Sequence, residues 1–132
     1  MSGPWHGRLA LRVEAEPVQS FTATFELSGN AQTGALTLFT PLGTTAAALN
    51  WSPQSSTLRS NAETRQFASL GALMQQTLGA ELPVAALFAW LAGDAMAAEG
   101  WQADLSQRAS GRIGARRDSP LPVAELRLVL AP

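Results

Sequence analysis

The sequence has 132 residues, enough for one domain with a hydrophobic core, and its formal net charge of −1 argues against a general electrostatic attraction to nucleic acid. It contains no cysteine, which excludes disulfides, thiolate metal sites and cysteine nucleophiles. Hydrophobic residues make up 46% of the chain and charged residues 14%, whereas about 25% charged residues is usual in soluble domains, so the composition favours an apolar surface or cavity.

Four consecutive segments with period-two alternation open the chain. The segment GRLALRVEA places Leu9, Leu11 and Val13 on one face, and SFTATFEL repeats the alternation with Phe21 and Phe25 inward. SGNAQTG supplies a turn, after which ALTLFT and TTAAALNW can pair as a second hairpin. The pattern predicts an antiparallel meander, with TLRS as a short fifth strand.

The second hairpin turns at TPLGT, where Pro41 and Gly43 supply the turn chemistry. Neither residue explains Leu42, which has no room to fold back under the strands. An exposed leucine forgoes about 1.5–3 kcal/mol of burial. The sequence therefore predicts a functional use for this leucine or a packing partner elsewhere in the chain.

The periodicity then becomes helical in RQFASLGALMQQTLG and in ELPVAALFAWLAGD. Gly79 and Gly93 are well placed to end the two helices, and Pro83 suits the start of the second. Both helices are short and predict a cover over a sheet rather than a bundle. Their apolar residues are Phe67, Leu70, Leu73, Met74 and Leu78 in the first and Val84, Leu87, Phe88, Trp90 and Leu91 in the second.

Strand-like alternation returns in GWQADLS, ASGRIGARR and AELRLVL. Strands on both sides of a helical insertion predict an α+β, mainly β fold, with one curved antiparallel sheet and helices on one side. The densest basic stretch, RIGARR, is short and lacks aromatic residues, so we interpret Arg112, Arg116 and Arg117 as a solvated strand edge rather than a phosphate-binding patch.

Catalytic motifs are missing from the sequence. His6 is the only histidine. A metal site would have no second histidine to share the coordination, and a Ser-His-Asp triad would have to use His6 itself. The carboxylates are scattered, and no G-x-S-x-G or phosphate-binding glycine motif is present. The sequence therefore favours a binding protein and predicts that the chain is not an enzyme.

Several motifs, taken in order, resemble the LolB family of outer-membrane lipoprotein receptors. They are WHGRLALRV, FTATFEL, LTLFTPLGTTAAALNW, LMQQTLGAELPVAALFAWLAGD and GWQADLS. The resemblance as a whole covers most of the chain, from Trp5 to about Leu130. The combination of PLG with LPVAALFAWLAG is the specific part of this resemblance.

The resemblance implies a half-open antiparallel β-barrel, of the LolA/LolB type, covered by two or three short helices. It implies an apolar hollow that takes lipoprotein acyl chains from a periplasmic carrier, LolA, and releases them into the inner leaflet of the outer membrane. It further implies a location at the periplasmic face of that membrane, with no cofactor, metal, ATP or nucleic acid involved.

The resemblance also assigns candidate site residues. The turn Pro41, Leu42 and Gly43 corresponds to a membrane-insertion loop, with Leu42 as the protruding residue. The acyl-chain cavity and its lid would be formed by inward-facing apolar residues of the strands and helices. These are Leu11, Val13, Phe21, Phe25, Leu36, Leu38, Leu73, Met74, Leu87, Trp90 and Leu91.

Two alternatives stay open at the level of sequence. Inward apolar residues line a hollow or fill a solid core with the same periodicity. With a solid core, the chain would be a non-catalytic β module that uses the exposed Leu42 turn to bind a protein partner.

Residues 1–132 read as a single LolB-like domain without three parts that the family usually has. These parts are an export leader, a lipidated cysteine and a helix ahead of the first strand. With no run of 18 apolar residues and no visible anchor, the sequence as given predicts a soluble domain.

Overall fold

The computed structural model describes residues 4–60, 63–78, 81–98, 100–119 and 121–131. It contains two α-helices, α1 (Leu70–Leu78) and α2 (Val84–Leu91), and a 3-10 helix at Arg108–Ser110. The strands are β1 (Trp5–Val13), β2 (Gln19–Gly29), β3 (Gly34–Phe39), β4 (Thr45–Ser52), β5 (Ser55–Ser60), β6 (Glu63–Phe67), β7 (Trp101–Asp104), β8 (Arg112–Arg117) and β9 (Ala124–Leu130).

All nine strands belong to one curved, unclosed antiparallel sheet in the order β6-β5-β4-β3-β2-β1-β9-β8-β7. The predicted mainly β fold with a helical cover is confirmed, as are the meander of the first four strands and the fifth strand. The sheet thus consists of a six-strand meander and a three-strand meander, joined where β1 pairs with β9.

Two expectations were wrong. Phe67 does not begin the first helix but ends β6, where it lies opposite Ser56 of β5, because backbone pairing overrides a helical pattern that short.

The stretch RIGARR is not an edge, since β8 lies between β7 and β9. Arg117 is buried there, 5.8 Å from the centre of the Trp101 ring, while Arg116 forms ion pairs with Asp118 and Glu125.

The junction of β1 with β9 is also the centre of the hydrophobic core. Leu9 lies opposite Leu128 and Leu11 opposite Leu126, so the alternating leucines of both strands face the same side of the sheet. All four side chains are buried in one apolar cluster. The register of this pair therefore decides whether the apolar faces of the two halves of the sheet coincide.

The helices cover that apolar face. Leu73 and Met74 of α1 and Trp90 and Leu91 of α2 are buried in the same cluster as the strand leucines. The Trp90 indole N–H donates to the Met96 carbonyl over 2.9 Å, which satisfies its one polar group.

Two features stop α2 where the sequence predicts. Gly93 has a left-handed φ of 91°, its N–H donates to the Trp90 carbonyl, and the Asp94 N–H donates to the Ala89 carbonyl. This is the Schellman pattern, which turns the chain away from the helix axis. The Arg108 guanidinium also donates to the Leu91 carbonyl at 2.8 Å. The predicted stop of the first helix, Gly79, lies outside the described residues.

A pair of substitutions on β9 tests this core. Leu126→Ala removes a side chain buried at the β1–β9 junction and should lower the free energy of unfolding by about 2–5 kcal/mol. Val129→Ala, on the solvent-facing side of the same strand, should change it by less than about 1 kcal/mol. Urea unfolding measures both, and equal losses would contradict the assignment of faces.

Candidate functional site

The β3–β4 turn is a short, well-defined loop that leaves its middle residue without support. The Gly43 N–H donates to the Thr40 carbonyl over 2.9 Å, and the Thr40 N–H donates to the Thr44 carbonyl over 2.8 Å. Gly43 has a left-handed φ of 85°. These are the features of a three-residue hairpin loop in which a turn is followed by a left-handed glycine. The two threonine hydroxyls, 2.8 Å apart, link the strand ends below it.

Leu42 stands at the tip of this loop with 91% of its surface exposed. A Cβ added at the neighbouring Gly43 would have no atom within 4 Å, so the loop stands clear of the rest of the described structure. Among the described residues, the side chain therefore finds almost no packing partner. Leaving it in water forgoes about 1.5–3 kcal/mol.

A groove of about 430 Å³ lies between the sheet and the last turn of α1. Its apolar lining includes Leu11, Val13 and Phe21, of which the first two also belong to the buried core. The groove thus reaches the edge of the core directly.

Polar groups line the rest of this groove. They come from the start of β2, at Gln19 and Ser20, and from Gln75, Gln76 and Thr77 of α1. The Thr77 hydroxyl is buried and has no hydrogen-bond partner among the described residues. A threonine hydroxyl can donate one bond and accept two, so the groove combines apolar walls with a polar α1 side whose buried hydroxyl is unsatisfied.

The eleven residues predicted for a cavity and lid come together in one cluster, but they occupy three settings. Leu11, Val13 and Phe21 line the groove, and Met74 lines a second groove of about 340 Å³ beside Leu82 and Val84. Leu11, Val13 and Met74 are themselves no more than 2% exposed, and the other seven, each no more than 3% exposed, line neither of these two grooves. They are Phe25, Leu36, Leu38, Leu73, Leu87, Trp90 and Leu91.

Some residues around the groove escaped the sequence reasoning. Thr77 and Pro122 line it, and Arg117 donates to the Pro122 carbonyl over 2.8 Å. Pro122 reaches the groove through the pairing of β9 with β1, which no local pattern records.

The ion pair of Arg116 with Asp118, together with Glu125, raises the pKa of the Arg116 guanidinium.

The family model described as outer membrane lipoprotein LolB matches residues 4–119. The chain belongs to the LolB family. This match spans the β3–β4 turn with Leu42, both α-helices and all strands except β9. The LolB family binds and transports lipoproteins and is not a family of enzymes, which gives the chain a general role in outer-membrane lipoprotein localisation.

A search of curated proteins matched none of them to this LolB-family chain. Within the described residues, no helix is long and apolar enough to cross a membrane.

Substitutions in the β3–β4 turn distinguish the contribution to stability of the Gly43 backbone conformation from that of the exposed Leu42 side chain. Gly43→Ala should cost about 1–2 kcal/mol because an alanine must adopt a left-handed conformation. Leu42→Gln should change stability by less than about 0.5 kcal/mol because the side chain is almost fully exposed.

Gly100→Ala is the matched control for the glycine. It has a similar φ of 81°, but its added Cβ would overlap the Ser119 carbonyl oxygen, so it should cost more than Gly43→Ala. Urea unfolding of the three variants measures these differences. A destabilised Leu42→Gln would mean that the leucine packs against the chain.

Proposed function

We propose that this chain accepts lipoproteins from a LolA-type periplasmic carrier, shields their acyl chains and inserts them into the inner leaflet of the outer membrane. In this proposal residues 1–132 act as one lipoprotein-binding domain at the periplasmic face of that membrane. The full exposure of Leu42 on a neutral hairpin is the observation that carries it.

The need for shielding follows from the chemistry of the cargo. An acyl chain of about 16 carbons in water costs on the order of 12 kcal/mol, at ~0.8 kcal/mol per methylene. A lipoprotein therefore needs a cover throughout its passage between carrier and membrane. The cover must also hold the chain less tightly than a bilayer does, since the cargo has to leave.

The groove beside α1 is the proposed entry for the acyl chain. Its floor at Leu11 and Val13 continues into the buried cluster that contains Leu73 and Met74 of α1. A small outward movement of α1 would extend the groove between helix and sheet, and the flexible methionine can adapt to a chain lying there. Binding would then replace contacts between α1 and the sheet with contacts to the cargo.

Leu42 acts at the last step of the proposed mechanism. Its turn, Pro41 to Gly43, carries no charge, so the leucine can enter the lipid interface without taking a charged neighbour with it. Burial in lipid recovers the free energy that exposure forgoes. The hairpin would thereby hold the protein at the membrane while the cargo leaves.

A transfer assay tests the insertion step. Leu42→Glu should leave acceptance of a lipoprotein from a LolA-type carrier within about twofold, while its release into phospholipid vesicles should fall about tenfold or more. Leu42→Met keeps an apolar side chain at the tip and should retain release. Equal release by all three proteins would contradict the membrane role of this turn, and a wild-type chain that never accepts cargo would contradict the whole proposal.

The burial of ten of the eleven predicted cavity residues, all except Phe21, favours a second candidate, a β module with a solid core whose exposed Leu42 binds a protein partner. A fluorescent fatty-acid analogue distinguishes the two. An acyl-binding chain should enhance its fluorescence and should lose about threefold or more in affinity with Phe21→Gln.

Phe88→Gln is the control for this measurement, since Phe88 is also half-buried but does not line the groove. A solid core should give no enhancement with any of the three proteins. An equal loss of affinity in both variants would place the bound probe away from the groove.

A further inference from the structure

Leu42 is not the only exposed apolar side chain at its end of the sheet. The loop between β1 and β2 (residues 14–18), the turn between β3 and β4 (40–44) and the loop between β8 and β9 (described residues 118–119 and 121–123) all join strands at the same end. We call these three loops the loop rim. Each of them carries one large exposed hydrophobic residue: Val18 (47% exposed), Leu42 (91%) and Leu121 (77%).

Two of these residues stand beside the groove. Val18 precedes Gln19 and Leu121 precedes Pro122, and both Gln19 and Pro122 line the groove. Both exposed residues are therefore next in the chain to a residue that lines the groove.

The loop that carries Leu121 is tied to the rest of the fold. The Glu14 N–H donates to the Val123 carbonyl over 2.8 Å, which joins this loop to the β1–β2 loop. Arg117 donates to the Pro122 carbonyl over 2.8 Å, and the Asp118 N–H donates to the Gly100 carbonyl over 3.3 Å. These hydrogen bonds hold the backbone at Asp118 and at Pro122 and Val123, on either side of Leu121.

The charges of the loop rim identify the kind of surface it fits. Glu14 pairs with Arg12 at 2.9 Å and Asp118 with Arg116 at 2.8 Å, and the β3–β4 turn has no charge. Glu16 is the remaining charged residue among the described residues of these loops. The loops contain no basic residue to attract anionic lipid, so their contact would be apolar and suited to zwitterionic phospholipid.

We propose that Leu121 and Val18 form a second contact with a zwitterionic phospholipid bilayer, which, together with Leu42, sets the mouth of the groove against the lipid surface. This rests on the proposed insertion function. Single apolar side chains on separate loops can each enter a fluid interface independently, whereas a protein surface would need a matching pocket for each of them. Contacts on both sides of β2 would fix an orientation that one leucine leaves free.

The lack of native cysteine allows a direct test with single-cysteine variants of the full chain. Val18→Cys, Leu42→Cys, Leu121→Cys and Val129→Cys would each carry one environment-sensitive fluorophore. Val129 is the matched control. Its exposed fraction, 44%, is similar to that of Val18, but it lies at the end of β9 that is far from the loop rim. With phosphatidylcholine vesicles we expect a blue shift at positions 18, 42 and 121 and none at 129, unchanged in 0.5 M salt.

The outcomes separate this inference from the proposed function. A shift at 42 without one at 121 would overturn the second contact and leave the insertion step intact, whereas no shift at 42 would contradict the insertion step itself. Three results at position 121 would overturn an apolar bilayer contact. They are a shift that requires anionic lipid, a shift that disappears in salt, and a shift caused by a LolA-type carrier without vesicles.

Flotation with the same vesicles provides a label-free readout. Leu121→Ser should reduce vesicle binding about threefold or more, and Val129→Ser should not. Equal binding of the two variants would contradict the inference.

Discussion

The antiparallel pairing of β1 with β9 is the contact on which the rest of the structure depends. It joins a six-strand meander to a three-strand meander, so a single register aligns the apolar faces of the two halves. A shift by one residue would turn Leu9 and Leu11 away from Leu126 and Leu128 and expose the core of the sheet. The same pairing brings the β8–β9 loop beside the β1–β2 loop, which creates the groove and places Pro122 in its wall.

A sheet that does not close on itself must cover its apolar face by other means. The two short helices provide this cover, and their buried residues share one cluster with the strands. Because α1 meets the sheet at a groove rather than along a sealed seam, this cover is the part of the core with access to the surface. An open sheet with a helical cover is therefore suited to binding a flexible apolar ligand, which a closed and filled barrel would exclude.

Membership of the LolB family and the exposed hairpin support the proposed function from separate directions. The family supplies the general role in lipoprotein localisation. The structure contributes a leucine that is 91% exposed, at the same end of the sheet as the part of the groove lined by Ala15 and Gln19. In a protein that transfers acyl chains to a membrane, placing both features at one end shortens the path that the cargo has to cross unprotected.

The sequence by itself determined the features that depend on neighbouring residues. Period-two alternation located most strands, helical spacing located both helices, and the chemistry of Pro41 and Gly43 predicted an exposed Leu42, because each is set by local geometry. Only the tertiary structure decided that Phe67 ends a strand, that Arg117 is buried and that Leu121 flanks the groove. These features depend on which strands pair, and pairing between residues far apart in the chain leaves no periodic signal in either segment.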